Sequence, residues 1–140
     1  MSYSFGQRSL NRMKGVDTRL QHIAHLALVY SAKRGGPDFT IPTFGGLRSE
    51  KEQQWLVDNK RSKTMNSKHR LGLALDVIPY SPNWRQSVYT LPKAEQDRLF
   101  HDVAVAMFGA ASQLGIQIVW GGNWRGRWDM PHYELILEDK

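Results

Sequence analysis

The run "LALDVIPY", residues 73–80, is apolar enough to read as an interior strand, yet Asp76 stands in its middle and His69 lies shortly before it. A carboxylate withdrawn from water into apolar surroundings is costly unless something pairs with it or coordinates it. Whatever fold this chain adopts must bring such a partner to Asp76.

The choice of partners is narrow. The 140 residues include no cysteine, so a metal can be held only by His, Asp or Glu, and no disulfide framework exists. That length fits one compact domain, residues 1–140, with a core that needs no staples. The formal charge of +6 suggests an anionic partner: nucleic acid, anionic lipid or an acidic wall polymer. The opening "MSYSFGQRSL" has no basic segment followed by an apolar one, and no window approaches the roughly 20 apolar residues of a membrane span. The expectation is a soluble monomer made in the cytoplasm, with no membrane anchor.

Leu20, Ile23, Ala24, Ala27 and Leu28 recur at helical spacing behind Asp17, a good N-cap, and predict a helix over 17–33 ended by Gly35, Gly36 and Pro37. "DFTIPTFGG" predicts a short strand leading to Arg48, and "SEKEQQWLVDN" a short helix with a capping pattern. Residues 59–68 are polar and basic and read as a loop; a strand follows over about 73–78. Pro92 opens a long helix with Leu99, Val103, Ala106, Met107, Ala110 and Leu114 on one face, closed by Gly115. "IQIVW" and "HYELIL" predict strands on either side of the loop "GGNWRGRWDMP". The fold class is α+β: a small antiparallel or mixed sheet packed with two main helices.

Of five histidines, His22, His25 and His101 fall within helices without a second ligand at i+4. His69 and His132 border strands. With Asp76 they make up two histidines and one carboxylate, a set that holds catalytic zinc and leaves a position open. Polar residues near strands are common, so spacing alone leaves this assignment open. A hydrolase of that kind also needs a proton acceptor. Asp129, three residues before His132, is the favoured candidate and Glu134 the competitor, since Glu134 shares a strand face with His132 and would serve equally as its hydrogen-bond partner. Gly72 and Ala74 are small enough to leave room beside the ligands.

Ser67, His69, Gly72, Ala74 and Asp76 form the pattern S-x-H-x-x-G-x-A-x-D, which resembles that of zinc-dependent peptidoglycan peptidases: D-alanyl-D-alanine carboxypeptidases and dipeptidases, and phage L-alanyl-D-glutamate endolysins. Five fixed positions at about 5% usage each match by chance in roughly one such chain in ten thousand. "GLRSEKEQ" resembles the family's R-S-x-x-x-Q segment, Asp129 keeps its spacing to His132, and "WGGNW" resembles an aromatic G-G-D-W stretch with Asn123 in place of Asp. The likeness runs from about residue 16 to 136, and the opening "MSYSFGQRS" is similar to that of short single-domain phage endolysins.

The resemblance implies a hedgehog/D,D-peptidase-like fold, Zn2+ on His69, Asp76 and His132, and Asp129 as catalytic base. It further implies Arg48 at the substrate carbonyl or oxyanion, with Ser67 and Gln53 as substrate-binding residues. Trp128, with Trp120 and Trp124, is a candidate wall of the cleft, although aromatics beside a small core also serve packing. The implied substrate is the peptidoglycan stem peptide, cut at its L-alanyl-D-glutamate bond, with holin-dependent release from the host cytoplasm to the wall. A D,D-carboxypeptidase or dipeptidase is the alternative. A basic nucleic-acid-binding module is the reading from charge alone, and it leaves His69, Asp76, Asp129 and His132 unexplained.

Overall fold

The structure is a computed structural model that describes residues 2–126 and 128–137. In chain order it contains α1 (Gln7–Arg12), α2 (Thr18–Lys33), β1 (Phe39–Thr40), α3 (Glu50–Asp58), β2 (Ala74–Asp76), β3 (Ile78–Pro79), α4 (Lys93–Leu114), β4 (Ile118–Trp120) and β5 (His132–Leu135). Short 3-10 turns cover Lys68–Leu71, Val88–Thr90 and Gly121–Asn123. The α+β class and the two main helices expected from the sequence are both present.

The helix signals act as predicted. Asp17 caps α2 by accepting the Arg19 N–H at 2.9 Å. Ser49 and Glu52 close a reciprocal capping box on α3. The alanine-rich faces of α2 and α4 pack against each other: Leu20, Ile23, Ala24, Ala27 and Leu28 meet Val103, Ala106, Met107 and Ala110 in one contiguous core. Leu114, expected on that face, is exposed in the last turn, where the helix has run past the core.

The strands form two small antiparallel sheets, β1–β3 and β2–β5–β4. The single strand expected over 73–78 is thus divided at Val77, whose N–H turns to the Pro131 carbonyl, so that β2 pairs with β5 while β3 pairs with β1. Helix α1 has no counterpart in the predicted elements. It spans six residues, starts at Gly6 without a side-chain cap, and is held by tertiary contacts: Ser9 Oγ pairs with Thr40 Oγ1 and accepts the Ile41 N–H.

Gly72 has a different purpose from the one its sequence context suggested. It ends the turn at φ 71°, where side chains are disfavoured, and a Cβ there would lie 2.6 Å from the Gly15 carbonyl oxygen. Its own carbonyl accepts the N–H of Asp17. The residue thereby docks the ligand-bearing turn onto the start of α2. Gly72→Ala is expected to cost at least about 1–2 kcal/mol from the left-handed conformation alone, read as a lower urea midpoint at unchanged m-value.

Candidate metal centre and active site

Strand alternation resolves the problem of Asp76. Leu75, Tyr133, Leu135, Ile118 and Trp120 are buried toward the helices, while Asp76, His132 and Glu134 alternate with them and project from the other face. In the β2–β5 ladder Asp76 stands directly opposite His132, the kind of cross-strand pair whose side chains meet. His69 joins them from the turn over Lys68–Leu71, where Ser67 Oγ accepts the His69 N–H at 3.2 Å.

Three donor atoms converge. Asp76 Oδ1 lies 3.1 Å from His69 Nε2 and 3.4 Å from His132 Nδ1, and the ligand atoms of all three residues fall within 4.8 Å of one another. Two ligands at zinc's usual bond length of about 2.0–2.1 Å and a tetrahedral angle are ~3.3 Å apart. The spacing therefore suits one ion. The far sides of both rings are already engaged: His69 Nδ1 donates to the Gly46 carbonyl at 3.0 Å, and His132 Nε2 donates to Glu134 Oε1 at 2.8 Å. Both partners only accept, so the nitrogens facing Asp76 present lone pairs. Two lone pairs and a carboxylate oxygen aimed at one point call for a cation.

Burial pushes the Asp76 carboxyl up, but hydrogen bonds and charge from His132 and His69 outweigh it and hold the group well below the usual carboxylate range. His132 is pushed down by burial and more strongly up by Asp76, Glu134 and Asp129, so its net shift is upward. Asp76 is an anion throughout the physiological range.

Arg48 reaches the same carboxylate from behind, with Nη2 at 3.3 Å from Asp76 Oδ2, Nε donating to the Phe44 carbonyl and Nη1 to Gln53 Oε1. Gln53 is fully buried and is not among the residues lining the cleft; it acts from behind the wall, bonded to Arg48, Ser62 and the Thr64 carbonyl, whose residues do line it. Ser67 lines the cleft beside His69, and Trp128 and Trp124 line it as well, the Trp124 ring lying 5.1 Å from that of His132. The cleft has a volume of roughly 860 Å³, and Tyr89, which no sequence pattern singled out, also lines it.

Asp129 is the most solvent-accessible carboxylate of the site, with its side chain 49% exposed and Oδ2 3.9 Å from His132 Nδ1. Burial and the Asp76 charge push its carboxyl up against the pull of His132, His69 and Arg48. Its position depends on Gly121, whose carbonyl accepts the Asp129 N–H at 3.0 Å. A Cβ on Gly121 would strike the Asp129 carbonyl oxygen and lie 3.1 Å from the His132 Cβ. The "WGGNW" motif therefore acts through Gly121 and through Trp120, whose indole N–H donates to the Met130 carbonyl; Asn123 is exposed. His25 and His101 pack edge-on against Phe5 and Trp120.

An open cleft over a buried His–Asp–His donor set on a small antiparallel sheet defines a metal-dependent peptidase of the zinc type. The chain belongs to the phage L-alanyl-D-glutamate peptidase family, whose model matches residues 1–136. It is similar to the solved structure of Serratia marcescens L-Ala D-Glu endopeptidase ChiX at 30% identity and a TM-score of 0.72, covering 95% of this chain and 90% of that one. No curated protein sequence matches it.

Zinc is expected to raise the melting temperature, since a ligand at a hundredfold excess over its Kd adds about 2.7 kcal/mol to stability. A chelator should reverse the shift, and His69→Ala, Asp76→Ala and His132→Ala should each abolish it. Because His132 holds its proton to higher pH than an ordinary histidine and must release it to coordinate, zinc affinity should fall as pH is lowered, beginning above the range in which an ordinary histidine titrates, as measured against a competing chelator.

Proposed function

We propose that the chain hydrolyses the L-alanyl-D-glutamate amide bond of the peptidoglycan stem peptide, acting as a phage endolysin. The observation that carries this reading is the convergence of His69, Asp76 and His132 in a cleft of peptide-binding size, on a chain matched by that family over nearly its whole length. The name of the similar Serratia protein supports the same bond. The endolysin reading puts synthesis in the host cytoplasm and action at the wall, reached with the help of a holin.

His69, Asp76 and His132 would hold a zinc ion, which when bound would supply Lewis acidity toward the scissile carbonyl and toward water. Asp129 is the group placed to take a proton from an attacking water and to return it to the leaving amine, so that the amide would become a carboxylate and an amine. Its half-exposed carboxyl, held above the ordinary range, suits a group that must both accept and release a proton. A guanidinium has five N–H donors; three of Arg48's serve Phe44, Gln53 and Asp76. Arg48 also lines the cleft, and its guanidinium is the cationic donor proposed to meet the carbonyl oxygen as negative charge develops on it. Ser67 and Trp128 flank the bound peptide, and Arg61 and Lys63 on the cleft wall attract its carboxylates. Gln53 acts behind Arg48 by fixing its orientation.

The test is to incubate zinc-loaded protein with defined muropeptides and identify the severed bond by mass. Products ending in L-alanine, with a new amine on D-glutamate, are expected; release of terminal D-alanine would instead establish the carboxypeptidase reading. Asp129→Ala should retain zinc and lose at least about 100-fold in kcat, the usual contribution of general acid–base catalysis. Loss of zinc in that variant would make Asp129 a ligand and remove it as the base.

A further inference from the structure

His132 has two ring nitrogens, and only Nδ1 faces the metal position. The other, Nε2, is 2.8 Å from Glu134 Oε1, while Glu134 Oε2 is 2.6 Å from Lys68 Nζ. We propose that Glu134, clamped by Lys68, is a positioning residue that orients the His132 ring and strengthens Nδ1 as a metal ligand. The proposal rests on the reading of His69, Asp76 and His132 as the metal site.

Three features support it. His132 and Glu134 are two apart on β5 and share a face, so the contact needs no departure from strand geometry. Both carboxylate oxygens are engaged, one by the imidazole and one by the ammonium, and the Glu134 side chain is only 14% exposed. Rotation of the carboxylate would break one bond to keep the other. Ala74, directly across the ladder from Glu134, presents only a methyl group and leaves that space to the pair.

The arrangement also separates Glu134 from the role of base. Glu134 meets His132 on the nitrogen that points away from Asp76 and Asp129, so the imidazole lies between this carboxylate and the reacting side of the cleft. What it can do is hold the ring and withdraw the Nε2 proton, which makes the opposite nitrogen a better donor. Lys68 contributes a further constraint. It precedes His69 in the turn, so its ion pair with Glu134 ties the first ligand's turn to the last ligand's strand. Its side chain is half exposed, so this contact, and not burial, distinguishes it from the other cations of the cleft.

Zinc affinity is measured by competition with a chromophoric chelator for wild type, Glu134→Gln, Lys68→Met and the double variant. Loss of a partner of this type costs about 10- to 100-fold in affinity. Glu134→Gln should fall in that range and Lys68→Met should fall less. The double variant should be no worse than Glu134→Gln, because both act through one contact. In the zinc-loaded wild type the proton on His132 Nε2 should exchange slowly with solvent by NMR, and markedly faster in Glu134→Gln. Unchanged affinity and unchanged exchange in Glu134→Gln would overturn the proposal. So would equal losses of metal-free melting temperature in both variants with wild-type affinity, the signature of a merely structural ion pair. Failure of the wild type itself to bind zinc would instead refute the metal site on which it rests.

Discussion

The pairing of Asp76 with His132 across the β2–β5 ladder is the contact around which the site is organised. A single register places a carboxylate and an imidazole opposite each other on the solvent-facing side while Leu75 and Tyr133 meet on the other. A slip of one residue would send Asp76 into the apolar core and Leu75 into the cleft. Core packing and ligand placement are therefore fixed by the same alternation: the residues that bury the sheet against α2 and α4 also enforce the metal geometry.

Around that pair the charges are arranged to compensate a carboxylate that water cannot fully reach. Two imidazoles and the Arg48 guanidinium surround Asp76, and each is itself anchored by an acceptor on its far side: Gly46 for His69, Glu134 for His132, Phe44 and Gln53 for Arg48. Anchoring of this kind limits what the site can do in response to a ligand. The rings cannot swing away from Asp76 without leaving a buried donor or acceptor unpaired, at about 1–3 kcal/mol for each one. Most of the cost of organising the ligands is thereby met during folding rather than when the ion binds.

Much of this was legible in the sequence, and for identifiable reasons. Caps and periodicity located α2, α3 and α4 because Asp17, Ser49 with Glu52, and Gly115 are local signals for local structure. The S-x-H-x-x-G-x-A-x-D spacing marked two of the three donors, since turn and strand geometry within ten residues is largely set by those residues. The parts not legible depend on distant partners. Helix α1 is stabilised through Ser9 and β1 rather than by its own composition. Lys68 read as one more cation in a basic loop, because nothing near residue 68 indicates that Glu134 will be 2.6 Å away. Gln53 matched a motif position, but a match does not reveal whether a side chain faces substrate or stands behind the residue that does. The reason for Gly72 likewise lay outside its own motif, in the approach of Gly15.

The two kinds of group in the cleft are carried on different kinds of structure, and the difference follows from what each must do. The donors sit on a hydrogen-bonded ladder and a capped turn, elements whose backbone positions are set by several bonds each, as a coordination sphere with tolerances of a few tenths of an ångström requires. Asp129 sits at the end of a loop, half exposed, where its carboxyl can exchange protons with solvent. A free loop would not place it well enough. The neck of that loop is instead closed by the Gly121 carbonyl on the Asp129 N–H and by the Trp120 indole on the Met130 carbonyl. These two contacts connect the loop to β4, the third strand of the ligand-bearing sheet, so the same sheet that fixes the donors also sets the position of Asp129. Glycine at 121 is then required by proximity: the backbone of Asp129 and the Cβ of His132 already occupy the space that any side chain there would need.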